Sequence, residues 1–349
     1  IVTYTIHHGN CLDILPTLPA NSVDLIATDP PYYKVKGEAW DRQWDTPQGF
    51  LSWLDTVLAE LYRVLKPNGS LYMFASPKMA ARVEVLIAGR FNVLNGIRWV
   101  KEAGWHNKAE KETLRSYLSP WEHVIFAEHY GADGYAKGEA GYTAKCDELR
   151  GFVFEPLRAY LAGERNRAGL TTQDIAEAWR IKTGNTNRTG QAGHWFEQVQ
   201  WTLPTAANYE WLRQTMSNLN HGGQYLRREY EDLRREYEDL RREYEDLRRP
   251  FNVSADVPYT DVWTFKTVNA YPGKHPTEKP LAMMRHIIEA SSREGATVLD
   301  CFMGGGTTGI AARDTGRHFI GIEKDERYFT QAQRRIEQVQ PALLAEAAS

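Results

Sequence analysis

Four consecutive residues near the start of the chain, Asp29, Pro30, Pro31 and Tyr32, combine an acid, two rigid backbone units and an aromatic ring. Each proline fixes φ and removes an amide donor. The carbonyl of Pro30 is left as a fixed acceptor beside the Asp29 carboxylate, and Tyr32 offers a flat face at the same place. Two acceptors and a stacking ring suit an exocyclic amino group on a planar base. With both N–H groups held, the nitrogen lone pair is drawn out of the ring system, and an adjacent sulfonium methyl can be attacked in line. Positioning and electrostatics do most of such work.

A second cluster lies near the other end, in TVLDCFMGGGTTGIAARDTGRHFIGIEKD, residues 297–325. A short apolar strand meets Gly304, Gly305, Gly306 and Gly309. A helical segment follows, then a strand that ends in Glu323. GGGTTG satisfies GxGxxG, and Glu323 stands about 20 residues on, where a ribose-binding acid belongs. On that signal alone a dinucleotide oxidoreductase is a fair reading. Yet only 24 residues follow Asp325, too few for the remaining strands of such a sheet. The missing strands are expected at the N-terminus, including the one that runs into Asp29. The two ends then form one circularly permuted sheet. Both clusters lie at strand carboxyl ends, where ligands of open α/β sheets bind, so they should face one cleft.

In combination these motifs resemble the beta-class DNA amino-methyltransferases, over about residues 5–130 and 260–340. The resemblance implies S-adenosylmethionine as cofactor and double-stranded DNA as partner. It implies an FxGxG element at Phe302, Gly304 and Gly306, preceded by Asp300, with Glu323 on the ribose hydroxyls. HPTEKP would bring Thr277 and Lys279 near the methionine carboxylate. HHGNCLDIL resembles a family stretch that reads Gly-Asp; here it is Gly9-Asn10, so the Asn10 carbonyl would take the adenine amino group and Cys11 only its backbone share. The family flips its target base out of the duplex, at a cost of a few kcal/mol of stacking. Tyr32 would stack on that base. The loop carrying Lys34, Lys36, Arg42 and Trp44 either closes over it or is plain solvated surface. Asp at the first tetrapeptide position favours adenine N6 over cytosine N4.

The elements needed to position these groups are legible. Val23, Leu25, Ile26 and Ala27 form a short apolar run, as in a strand buried on both faces. Leu51, Leu54, Val57, Leu58, Leu61, Val64 and Leu65 recur at helical spacing, with Pro67 and Gly69 as stop signals. SLYMFAS and EHVIFAEH read as further strands, and residues 281–288 as a helix. The fold class expected is α/β, a circularly permuted Rossmann-like methyltransferase fold with an inserted helical target-recognition region. Its parts would be residues 1–130, 131–265 and 266–340. Trp99 and Trp121 suit core and base contact equally.

The insertion opens on a polar, glycine-rich stretch, residues 131–145. Three short helical pieces follow. Thr171 or Thr172 caps the second, and residues 190–198 form the third, the outline of a helix-turn-helix or of an ordinary three-helix unit. Arg188, Gln191, His194 and Gln198 are candidate DNA readers there, with Lys34 and Lys36 in the loop after the tetrapeptide. LRREYED then occurs three times from Leu226 to Asp246. With leucine at d, tyrosine falls at a, and the flanking Glu and Arg are complementary. One long helix over 226–249 is expected, its Leu/Tyr stripe packed on another surface or on a twin in a homodimer.

A net charge of −3 and 42% hydrophobic content fit a globular protein and leave DNA binding to local charge. Three well-separated cysteines and no apolar run of membrane length point to a cytoplasmic, nucleoid-associated protein without zinc or another metal. The reading is a solitary, site-specific adenine-N6 DNA methyltransferase. Cytosine-N4 methylation, methylation of RNA or protein glutamine, and a non-enzymatic DNA-binding regulator stay open as alternatives.

Overall fold

The structure, a computed structural model, describes residues 2–35, 37–101, 111–129, 149–184, 190–198, 201–220, 222–253 and 258–339. Along the chain, β1 (Tyr4–His8) leads into α1 (Cys11–Ile14), then β2 (Val23–Thr28), α2 (Pro47–Val64), β3 (Leu65–Ala75) and α3 (Ala80–Ile87). β4 (Asn92–Val100) and β5 (Trp121–Glu128) follow. Next come helices α4 (Glu155–Arg167), α5 (Thr172–Thr183), α6 (Gly190–Gly193), α7 (Ala206–Leu219) and α8 (Tyr230–Leu247). The chain ends with β6 (Val262–Trp263), α9 (Leu281–Ser291), β7 (Thr297–Asp300), α10 (Thr307–Asp314), β8 (His318–Glu323) and α11 (Glu326–Glu337).

The strands form one sheet in the order β1-β8-β7-β2-β3-β5-β4-β6. The permutation is written into this order. Leu25 and Ile26 of β2 pair in parallel with Val298 and Leu299 of β7, and β1 lies parallel to β8. β5 is antiparallel to both its neighbours, a reversal at one end of a mostly parallel sheet. Period-two alternation divides the core: Ile26, Met73, Ile125 and Leu299 face α2 and α3, while Leu25, Ala27, Tyr72, Phe74 and Val298 pack with α9 and α10. Thr46 caps α2 by accepting from the amide of Gly49 (3.1 Å), Pro47 supplies the first turn, and Leu54, Val57, Leu58 and Leu61 are fully buried.

The chain divides into two compact units, Ile1–Gly141 with Arg249–Ser349, and Tyr142–Arg248. The inserted unit is narrower than the 131–265 expected, because the chain rejoins the sheet early. Arg249 pairs with buried Glu128 (Nε–Oε2 2.6 Å), Val262 and Trp263 pair with β4, and the indole of Trp99 donates to the Phe265 carbonyl (2.7 Å). Trp99 is therefore a core residue. The glycine-rich stretch of residues 131–145 lies outside the described residues.

Two expectations for the inserted unit need correction. Thr171 does cap α5, in a reciprocal capping box with Asp174. But the segment 190–198 is helical for a single turn, Gly190–Gly193, and Trp195 and Phe196 are buried beside Trp201. Two large apolar side chains draw the supposed recognition helix into the unit's own core. The repeat helix begins at Tyr230, not Leu226. Leu226 has φ 50° and its carbonyl accepts from Tyr209 and Arg213. Leu233 and Tyr244 are buried, and Tyr237 stacks on Phe154 (5.4 Å between ring centroids). Most of the stripe packs within its own unit, while Leu247 at its end is exposed. The flanking arginines pair along the helix instead, as in Arg234–Glu231 (3.7 Å) and Arg241–Glu238 (3.7 Å), contacts worth little each. Among the described residues no helix is long and apolar enough to cross a membrane.

Candidate functional site

At the carboxyl ends of β1, β2, β7 and β8 lies a cavity of about 650 Å³. Asp29, Pro30, Pro31 and Tyr32 line it from one end of the chain. Thr277, Phe302, Gly304 and Glu323 line it from the other, with Asn10 and Cys11 at the start of α1. The two motif clusters therefore share one pocket.

Asp29 directly follows Thr28, the last residue of β2. Its Oδ2 is ion-paired with Lys279, and Oδ1 is buried with no hydrogen-bond partner. Burial pushes the Asp29 carboxyl up, opposed by Lys279 and reinforced by Glu122. Tyr32 is buried; its hydroxyl donates to Glu122 Oε2 (3.0 Å) and accepts from Lys279 Nζ (3.2 Å). After it, Tyr33 and Lys34 both adopt left-handed backbone (φ 58° and 60°), costly for residues with side chains. Asp41 holds this turn: its carboxylate accepts from the amides of Tyr32 and Val35, both at 2.6 Å. Nothing in the spacing of residues 33–45 singles out Asp41.

The glycine loop is built from beneath. Asp300 accepts from Thr28 (2.8 Å), Thr308 (2.6 Å) and the amide of Phe302 (3.1 Å), tying β7 to β2 and α10. It is nearly fully buried and does not line the main cavity, so it supports the loop rather than touching its contents. Burial raises its carboxyl from 3.8 to about 6. An acid raised this way adds stability that is complete below its unfolded pKa and lost as pH rises through about 6. Relative to an Asp300→Asn variant, the wild type should lose up to about 3 kcal/mol of unfolding free energy between about pH 4 and 7. Denaturant titrations across that range measure the difference, and a flat one would contradict the assignment.

Glu323 accepts from the amides of Gly304 (2.9 Å) and Asp325 (2.8 Å), which leaves each oxygen a lone pair toward the cavity. Gly306 lines no part of the main cavity. It caps α10 at φ 81°, and a Cβ there would lie 2.9 Å from that of Ala332. Asn10 caps α1 by accepting from Leu12 (3.2 Å), and burial pushes the Cys11 thiol up to about 12. Thr277 lines the cavity and lies 3.2 Å from the His275 ring. Lys279 differs from expectation. It is buried between Asp29 and Glu122 and does not line the main cavity; it lines a smaller neighbouring pocket with Gly304 and Gly305. Aromatic walls come from Trp40, Trp53, Phe302 and Tyr328; Trp40 stacks on His275 (6.1 Å, 20°).

The surface candidates are less assembled. Lys34 is exposed and donates to the Asp45 carbonyl (2.8 Å). Trp44 packs on Phe50 and Trp53. In the inserted unit His194 is half-buried, 3.9 Å from Glu197, and Gln198 is exposed. Lys36, Arg188 and the side chain of Gln191 lie outside the described residues.

The family model for DNA methylase, N6_N4_Mtase, matches residues 23–334. The chain belongs to that family. The methylase is 28% identical over 338 residues to DNA adenine methyltransferase YhdJ of Escherichia coli (strain K12), covering 95% of this chain and 82% of that one. It is 48% identical over 80 residues to Type II methyltransferase M2.DpnII of Streptococcus pneumoniae, 22% of this chain and 30% of the relative. In fold it resembles the M1.HpyAVI–SAM complex, with TM-score 0.50 and 20% identity over 96% of this chain and 99% of that one. It also resembles the cytosine-N4-specific PvuII DNA methyltransferase, with TM-score 0.51 and 13% identity over 95% and 86%.

S-adenosylmethionine is the methylase's cofactor, and the cavity fits it. It offers an acid with free lone pairs at Glu323, a backbone able to approach closely at Gly304, and apolar walls of Trp53 and Phe302. Glu122, Lys101, His275 and Asp41 are the site residues that motif reading missed. Glu122 stands just ahead of the apolar run Val124–Ala127 of β5, and His275 opens the HPTEKP stretch, so these two had a visible signal.

Proposed function

We propose that this methylase transfers a methyl group to N6 of adenine in duplex DNA, on a base flipped into the cavity. The observation that carries the proposal is the meeting of Asp29–Tyr32 with Gly304 and Glu323 in one cavity. When bound, S-adenosylmethionine supplies an electrophilic sulfonium methyl. Asp29 Oδ1 and the Pro30 carbonyl accept the two N–H bonds of the amino group and turn its lone pair toward that methyl. Tyr32 closes the floor of the pocket, and the aromatic walls exclude water. Once methylated, the nitrogen is positive and loses one proton; Asp29 is the adjacent base. No metal is invoked, because the sulfonium is already activated by its own charge. In this reading Asn10, Cys11, Thr277, Phe302, Gly304 and Glu323 hold the cofactor, with Asp300, Gly306 and Lys279 shaping the site from behind.

Adenine is favoured over cytosine by Asp at the first tetrapeptide position and by the adenine-methylating E. coli relative, which aligns over nearly the whole chain. The inserted unit is assigned to target recognition, with Gln198 and His194 as readers and Lys34 at the phosphates. A homodimer belongs to the same proposal, on a surface other than the repeat stripe. Nucleoside analysis of duplex DNA incubated with the protein and labelled S-adenosylmethionine is the test. N6-methyladenine is expected. N4-methylcytosine would transfer the site to the other base, and label appearing only in RNA or protein would remove the reading.

A further inference from the structure

Behind the tetrapeptide lies a layer of charge that the reaction as described does not use. Lys279 Nζ sits between two carboxylates, ion-paired with Asp29 Oδ2 and 3.4 Å from Glu122 Oε2. Lys101 pairs with the other Glu122 oxygen, Oε1. The Thr277 carbonyl accepts from Lys279 (3.2 Å), and the Tyr32 hydroxyl bridges Lys279 and Glu122. The four charged residues come from four separate segments: the end of β2, the end of β4, the start of β5 and the turn before α9. Two positive and two negative groups balance. Their burial is costly unless each has its partner, and removing one strands the others.

The layer is asymmetric at its working end. Asp29 Oδ2 is taken up by Lys279, while Oδ1, on a residue that lines the cavity, has no partner. The terminal torsion of a carboxylate is broad and nearly two-fold, so nothing intrinsic chooses which oxygen faces a substrate. We propose that Lys279, held off the cofactor by Glu122, is the positioning residue for the Asp29 carboxylate, fixing Oδ2 so that Oδ1 is presented to the target amino group. This rests on the role given to Asp29 above.

The same layer sets the charge on Asp29. Burial alone would lower the Lys279 ammonium, but Asp29 and Glu122 together raise it. Burial would raise Glu122, but Lys279 and Lys101 bring it to about 2. Asp29 shares a single cation with that competing carboxylate and stays raised. The groups facing Asp29 are Lys279, Glu122 and Tyr32, with Asp300 on the neighbouring strand; His275 also faces Lys279. Loss of the ammonium should raise Asp29 further, and loss of Glu122 should lower it. The two variants therefore shift Asp29 in opposite directions, which a general packing defect would not do.

The test is the single-turnover methylation rate on duplex DNA from about pH 6 to 10, with cofactor affinity measured separately, for wild type, Lys279→Met, Lys279→Arg and Glu122→Gln. Lys279→Met is expected to lose about 30-fold or more near pH 7 and to recover at high pH, its acid limb moved up by about one unit or more. Its cofactor Kd should change less than about three-fold, and Lys279→Arg should restore most of the rate. Glu122→Gln should move the acid limb down. Limbs that stay put in both variants overturn the proposal. So does a Lys279→Met variant with a cofactor Kd raised about ten-fold or more and an unchanged rate at saturation, the pattern of a direct cofactor ligand. If Lys279→Met fails to fold, the direction of the Glu122→Gln limb alone decides. A wild type that transfers no methyl group to DNA would instead defeat the functional reading itself.

Discussion

Asp29→Asn should lower the methylation rate by about a thousand-fold, near 4 kcal/mol of transition-state stabilisation, while cofactor affinity stays within a few-fold. The substitution preserves volume but not polarity. Lys279 Nζ is a donor in contact with Oδ2 of the native carboxylate, and Oδ1 is the oxygen without a partner. An asparagine must turn its single carbonyl oxygen to the ammonium, because an amide N–H facing a buried cation is repelled. Its NH2 group then takes the place of Oδ1. A donor replaces an acceptor where the target amino group brings a donor of its own. The variant would bind cofactor, fold and fail at the chemical step. Single-turnover rates and cofactor titration separate these effects, and a rate within ten-fold of wild type would show that the carboxylate is not the acceptor.

The second large effect is on folding. Gly306→Val should destabilise the protein by about 3–5 kcal/mol, summing backbone strain and overpacking. Gly306 has φ 81°, a conformation a β-branched residue resists, and its hypothetical Cβ lies 3.0 Å from the Cα of Ala332 in α11. Backbone cannot yield as a side-chain tip can. The neighbouring glycine is the control. Gly305 is not in the left-handed region, and the atom nearest a Cβ there is the end of the Arg335 side chain. Gly305→Ala should cost less than about 1 kcal/mol. Thermal and denaturant unfolding would distinguish the two, and equal losses would show that the approach of Ala332 sets no special demand at Gly306.

That contrast marks how far the sequence could be read. GGGTTG announced a glycine loop, but the sequence could not divide the labour within it. Gly304 backs onto His275 and donates to Glu323, while Gly306 exists for the approach of α11. A glycine's duty depends on which element arrives from elsewhere in the chain, and Ala332 is a distant arrival. The heptad stripe gave the same lesson. Its period correctly foretold one amphipathic helix, since periodicity is a local property of the backbone. Whether its leucines and tyrosines met a twin or their own unit depended on the aromatic residues Phe154 and Trp201, which no heptad rule contains.

By itself the sequence determined the two chemical ends, the strand into Asp29 and the loop into Glu323, and hence the permuted sheet that must join them. Short apolar runs, helical spacing and turn residues act over a few positions, so they survive without coordinates. Only the tertiary structure decided what stands behind the reactive groups. Lys279 became a partner of Asp29, Glu122 and Lys101 joined it, and Asp41 took the strained turn after Tyr32. The ion pairs among them are electrostatic and made at short range between segments the sheet brings together, whereas Asp41 acts locally on the amides of Tyr32 and Val35. A buried charge goes to whichever opposite charge the folded sheet brings within reach.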